Sequence, residues 1–305
     1  MRGGALSPTQ AGLPGPLVIG GLGGSGTRLV AEIAQELGFF LGDDLNVARD
    51  NLWFTLLFKR PRWYANVMTR DPREIGIGFR VLERAMTARG EADGAGWRFL
   101  GRAVRDAVLG RHGQTRAHTP GWPLAQSARL ARALGFPTPR EGPWGWKEPN
   151  SHVFLSPLAG HWPGLRFIYV NRHGLDMAFS RNQTQLHLWG PMYGVHPSAG
   201  PDVPQPREML EYWIRAVERV SADGPRLLGE RFLLLNYDTL ATRPEANLPG
   251  LIEFLGLDSR GLPLDRIRAL AVQSESIGRY RQHDLSIFDP QRIEAVRSMG
   301  FSVGG

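Results

Sequence analysis

The chain has 305 residues, 42% of them apolar, which is enough to bury a sizeable core and excludes disorder over the whole length. It has no cysteine, so disulfides, thiolate nucleophiles and Cys-ligated zinc are excluded; no run reaches the ~18 apolar residues of a membrane span. Thirty-six Lys plus Arg against 29 Asp plus Glu give a net charge of +7, which suits a polyanionic ligand at least as well as nucleic acid.

The N-terminal MRGGALSPTQAGLPG lacks an apolar signal core, so a cytoplasmic protein is expected. Pro16 to Gly20 (PLVIG) then reads as a short buried strand, GLGGSGTR as a glycine loop and LVAEIAQELG as an amphipathic helix ending at Gly38. Phe39 to Leu41 is a second short strand that delivers Asp43 and Asp44 into a loop. From Asn51 to about Ala133 the chain is largely helical, broken by Pro61, Pro72, Pro120 and Pro123. This stretch reads as a helical cap or insertion within residues 51–140. Further strands are expected at Trp144 to Lys147, Arg166 to Val170 and Arg231 to Asn236, each followed by a helix. Strands alternating with helices predict an α/β fold whose parallel sheet is flanked by helices. One domain over residues 1–305 accommodates all of it, and the Pro- and Gly-rich stretch 190–206 reads as a mobile loop.

Two motifs carry chemistry. Gly20 to Arg28 lies where a strand feeds a helix, so its backbone N–H groups and the helix dipole are placed to hold a phosphate. It is neither a Walker A loop, which needs a Lys before the Ser or Thr, nor a dinucleotide fingerprint, which needs an acidic residue about 20 positions on. In RFIYVNRHGLDMAFSRNQ, Arg172 ends a buried strand and Ser180 follows eight residues later. The pair offers a planar guanidinium fork and a hydroxyl to a second phosphate, with Asp176 capping or orienting. Only two of the 36 basic residues are lysines, Lys59 and Lys147, so Lys147 inside WGWKEP is a candidate for work that needs a compact, deprotonatable ammonium.

The glycine loop, WGWKEP, VNRHGLDMAFS and LLLNYDTLATRPEANLPGLIEFLGL occur in this order. Together they resemble the sulfotransferases that depend on 3′-phosphoadenosine 5′-phosphosulfate (PAPS) and release 3′,5′-adenosine bisphosphate (PAP), with their P-loop-like architecture. The resemblance implies that Gly23, Gly24, Ser25, Gly26, Thr27 and Arg28 bind the 5′-phosphosulfate and that Arg172 and Ser180 bind the 3′-phosphate. It also implies Tyr237 near the adenine and Lys147 on the departing oxygen, with no metal. Two departures stand out. Gly24 occupies the place of the usual basic residue, which leaves Arg28 as its substitute, and Glu148 and Pro149 follow Lys147 where cytosolic members carry K-x-H. K-E-P is closer to the K-D-P of protein-tyrosine sulfotransferases, whose base is acidic and follows the second strand. Asp44, with Asp43 as the near alternative and Glu148 next, is therefore the expected base.

The acceptor is expected to be a hydroxyl or amine of a small molecule, lipid or saccharide, with Trp53, Trp63, Trp97 and Trp122 as possible pocket walls. Nucleic acid is not expected, because aromatic residues are not interleaved with Arg on a strand. A P-loop kinase and a non-catalytic nucleotide- or anion-binding module are the alternatives. Lone histidines such as His152 and His187 lack metal-ligand spacing and read as structural.

Overall fold

A computed structural model describes residues 15–113, 121–271 and 274–304. The N-terminal segment as far as residue 14 and Pro120 lie outside the described residues. Strands β1 (Leu17–Gly21), β2 (Gly145–Lys147), β3 (Arg166–Asn171) and β4 (Phe232–Asn236) form one parallel sheet in the order β2-β1-β3-β4. A central parallel strand is covered on both faces and so reads as a continuous apolar run. β1 is buried at all five positions, while β4 at the edge leaves Leu234 exposed.

The expected strand at Phe39 to Leu41 is corrected to a single parallel bridge between Phe40 and Trp144. Gly42, at φ 123°, turns the chain away at once; a Cβ there would meet the Asn51 amide 2.5 Å away.

Helix α1 (Thr27–Glu36) follows β1 across the glycine loop. α2 (Leu52–Phe58), α3 (Pro61–Arg70), α4 (Arg73–Thr87), α5 (Gly94–Val108) and α6 (Trp122–Gly135) then precede β2. A 3₁₀ turn (Pro149–Phe154) and α7 (Leu155–His161) lead to β3. α8 (Gly174–Ala178), α9 (Thr184–Trp189) and α10 (Pro206–Leu228) lead to β4. α11 (Tyr237–Thr242), α12 (Pro244–Phe254), α13 (Leu264–Leu270) and α14 (Pro290–Ser298) follow it.

The sheet separates two cores. Leu17, Ile19, Ile168 and Val170 pack with α1 into a mostly aliphatic core. Val18, Phe167 and Tyr169 face the opposite one, which is rich in aromatic rings and takes in the helices between α1 and β2. Its centre is α2, with all seven residues buried; Phe54 lies 5.6 Å from Trp146 and 4.7 Å from Phe58, ring to ring. Each such phenyl ring contributes about 1.5–3 kcal/mol by leaving water.

Asn51 fastens this helix to the sheet. Its backbone N–H donates to the Lys147 carbonyl at 2.7 Å, its side chain accepts from Phe54 N–H at 2.9 Å, and its amide donates to the Leu41 carbonyl at 3.0 Å. The stretch 190–206 opens with a 3₁₀ turn (Gly190–Tyr193) and is tied down by buried Gln205. The Gln205 Oε1 accepts from the N–H groups of Ser198 at 2.7 Å and Ala199 at 3.1 Å, and its own N–H donates to Gln183 Oε1 at 2.8 Å.

Candidate active site

The carboxyl ends of parallel strands leave a crevice in which ligands bind. Here that crevice is a cavity of about 640 Å³, lined by Gly23, Gly24, Gly26, Thr27 and Arg28 from the glycine loop, and by Lys147, Arg172 and Tyr237 from the ends of the other strands. Segments far apart in sequence are thus brought to one place. The loop closes through glycine conformations: Gly24 and Gly26 both have φ 92°, and a Cβ on Gly26 would lie 2.0 Å from the Tyr237 ring. α1 starts behind Gly26 with no side-chain cap and no acid in its first turn, so its N-terminal N–H groups remain available to an anion. Ser25 Oγ is buried and has no hydrogen-bond partner among the described residues.

The second motif meets the first at Gly24. Arg172 donates to the Gly24 carbonyl at 3.1 Å and to Ser276 O and Oγ at 2.6 and 2.8 Å, and its guanidinium lies 5.3 Å from the Tyr237 ring centre. Its Nε remains buried and unpartnered among the described residues. The Ser180 hydroxyl stands 3.6 Å from where a Gly24 Cβ would be, and lines an adjoining cavity with Arg181 and Arg279. Asp176 orients the wall behind Arg172, accepting from the N–H groups of Gly278 at 2.7 Å and Tyr280 at 3.1 Å. Arg28 is largely exposed and lies 3.5 Å from Glu32 on its own helix.

Lys147 is only 3% exposed; its ammonium donates to the Ala48 carbonyl at 2.9 Å and pairs with Asp50. Asp50 is the acid that sequence reasoning missed. The loop after Gly42 doubles back, with Leu45 bridging antiparallel to Asn51, so the residue just before the α2 cap faces the cavity. Asn46 fixes it, its Nδ2 donating to Asp50 Oδ2 at 2.9 Å and its Oδ1 accepting from Asp50 N–H at 2.8 Å. Arg49, at φ 64°, is the left-handed residue that makes the turn possible. The signal available in the sequence was Asn46 four residues before an Asp-Asn pair at a helix start.

Asp44 and Asp43 do not line this cavity. Asp44 is buried against Arg129, which donates to it at 2.9 Å; burial raises its pKa although Arg129 opposes the shift. Asp43 pairs with Arg140 at 2.6 Å near the surface. Glu148 lies behind Lys147, accepting from the Asn150 backbone N–H at 2.7 Å and side-chain amide at 2.5 Å, and burial raises its pKa. The four tryptophans line neither this cavity nor the smaller one beside it. Trp53 and Trp122 are core residues, Trp63 donates to Glu74 at 2.9 Å, and Trp97 is partly exposed.

Two buried histidines, His152 and His112, sit against Pro149 and Thr55, which line the cleft. Burial lowers His152 to about 4 and His112 to about 3; His152 Nδ1 lies 2.8 Å from the Pro149 carbonyl and His112 Nε2 lies 2.7 Å from the Thr55 carbonyl. Among the described residues no group of three His, Asp or Glu side chains could hold a metal ion, and no helix is long and apolar enough to cross a membrane.

The family model described as the sulfotransferase family matches residues 16–260. No curated protein matches the sequence. Among solved structures, the chain is similar to the sulfotransferase domain of the Synechococcus PCC 7002 olefin synthase, at 13% identity over 95% of this chain and 96% of that one, with a TM-score of 0.45. It is also similar to the sulfotransferase domain from the curacin biosynthetic pathway (12% identity, 95% and 99% covered, TM-score 0.47). A third is the sulfotransferase STF1 from Mycobacterium tuberculosis H37Rv (14%, 94% and 78%, TM-score 0.45).

Proposed function

Because the chain belongs to the sulfotransferase family, we propose that it moves a sulfuryl group from PAPS to a hydroxyl or amine of a small-molecule, lipid or sugar acceptor. The observation that carries this reading is the convergence on Gly24: the glycine loop, Arg172 and Ser180 surround one point, with Lys147 in the same cavity. Buried polar atoms left unpaired cost about 1–3 kcal/mol, and the orphaned Ser25 Oγ and Arg172 Nε fit a phosphate that would satisfy them.

The loop from Gly23 to Thr27 and the first turn of α1 would hold the 5′-phosphosulfate, Arg172 and Ser180 the 3′-phosphate, and Tyr237 would lie by the adenine. Bound PAPS supplies the sulfuryl group and a phosphate leaving group. Transfer of this kind has a loose, in-line transition state, so positioning and charge stabilisation dominate. Lys147 stabilises the oxygen that keeps the electron pair as its bond to sulfur breaks. The acceptor oxygen or nitrogen would form the new bond to sulfur and give its proton to a carboxylate. Asp50, which already touches Lys147, takes the place in this reading that Asp44 or Asp43 held from sequence.

Titration with PAP in the absence of metal tests the proposal. Saturation at about 100 times Kd should stabilise the fold by roughly 2.7 kcal/mol. Stabilisation by ATP with Mg²⁺ but none by PAP would point to the phosphotransferase alternative.

A further inference from the structure

Beside the donor cavity lies a second, smaller one of about 180 Å³, below the roughly 300–1,000 Å³ of drug-sized ligand sites. Gly23, Asp50, Pro149 and Asn182 line both cavities, so the two meet at the glycine loop and at the proposed base. Lys59 and Gln185 stand at the smaller cavity's wall. The Lys59 side chain is 13% exposed; its ammonium lies 3.9 Å from the Glu148 carboxylate, and no hydrogen bond from it is formed among the described residues. Gln185 is 6% exposed, its amide lies 3.6 Å from where a Gly23 Cβ would be, and its Oε1 is buried without a partner among the described residues.

The charges on this wall are each balanced, Lys59 and Glu148 by one another and Asp50 by Lys147 of the adjoining cavity. A charged occupant would leave one pair unbalanced. An aliphatic one would leave the free ammonium protons and the Gln185 oxygen unpaired. We propose that this annexe seats the acceptor and selects a neutral polyhydroxyl compound, with Lys59 donating to and Gln185 accepting from a hydroxyl that does not react. The reacting hydroxyl then lies toward Asp50. The inference rests on the sulfotransferase reading and narrows its acceptor from small molecule, lipid or saccharide to a polyol or single sugar unit. Sites built to hydrogen-bond a hydroxyl reject analogues lacking it by factors of up to about 10⁴–10⁵, whereas apolar pockets discriminate far less.

The test measures transfer from PAPS to myo-inositol and D-glucose against 1-octanol, p-nitrophenol and n-octylamine, with PAP affinity measured on the same protein. The expected result is a kcat/KM for at least one polyol about 100-fold above the other three. Lys59→Met and Gln185→Leu should each raise the polyol KM by about tenfold while PAP affinity stays within about twofold. In an enzyme that binds PAP, three results would overturn the proposal: preference for the alcohol, phenol or amine, no transfer to either polyol above hydrolysis, or unchanged KM in both variants. Failure to bind PAP would instead remove the parent reading, and this one with it.

Discussion

The two walls of the cleft are built by different means. The wall proposed to hold the donor is mostly backbone: glycines at φ 92°, uncapped helix N–H groups, and Arg172 clamped between Gly24 and Ser276. The wall proposed to seat the acceptor is mostly side chains, with Asp50 from the loop before α2, Lys59 from the end of α2, Glu148 after β2 and Gln185 in α9. A backbone cradle is a local property of a short segment, and it recurs wherever a phosphate must be held. A side-chain wall assembled from four segments can change one residue at a time without disturbing the cradle. Donor use and acceptor choice should therefore respond separately to mutation.

The largest effect is expected at the seam between the walls. Lys147→Ala should lower kcat about 10²–10³-fold and leave PAP affinity nearly intact, because in the proposed reaction its contact strengthens as the leaving oxygen gains charge. Wild-type turnover in that variant would remove Lys147 from the chemistry. Asp50→Asn should cost about 10²-fold in kcat, with a lost acidic limb in the pH–rate profile as the readout that a merely structural role would not move.

On the donor wall alone, Arg172→Ala should weaken PAP binding by roughly 1.5–3 kcal/mol, read by calorimetry, with little change in acceptor KM. Equal losses in both constants would show that the walls are coupled.

Beneath the walls, His152 under the glycine loop and His112 under α2 both lie neutral. A histidine whose folded pKa lies below its unfolded value of about 6.5 contributes stability that is complete above that pH and lost as pH falls toward the folded value. Between pH 6.5 and 5 each should remove about 2 kcal/mol, measurable by denaturant midpoints. Stability unchanged over that interval would contradict the buried neutral rings.

The smallest effect is expected at Asp44, where Asp44→Asn should leave turnover within about twofold, since its carboxylate faces Arg129 rather than the cleft. A loss there as large as that of Asp50→Asn would return the base to Asp44.

The same contrast explains what the sequence made legible. β1, the glycine loop and α1 are contiguous, and their periodicity and glycines declare them. The Arg172 and Ser180 motif is likewise a strand end and a short helix within nine positions. Asp50 is hidden in the sequence because its place beside Lys147 depends on a reversal at Gly42 and on Leu45 pairing with Asn51, neither of which follows from hydrophobic pattern. Asp43 and Asp44 were plausible because they come first after the bridge at Phe40; Arg140 and Arg129, about 90 residues away, take them out of the cleft. Tryptophans suggested a pocket by their size, but the core claimed Trp53 and Trp122.

The chain carries two lysines, and both line the cleft. An acylating reagent therefore has no lysine amine to meet on open surface. Lysine adducts report events in the cleft, and occupancy of either wall can be followed as an integer change in mass. Removing both ε-amines takes two substitutions and leaves 34 arginines to keep the protein cationic, so charge and amine reactivity can be separated in this protein.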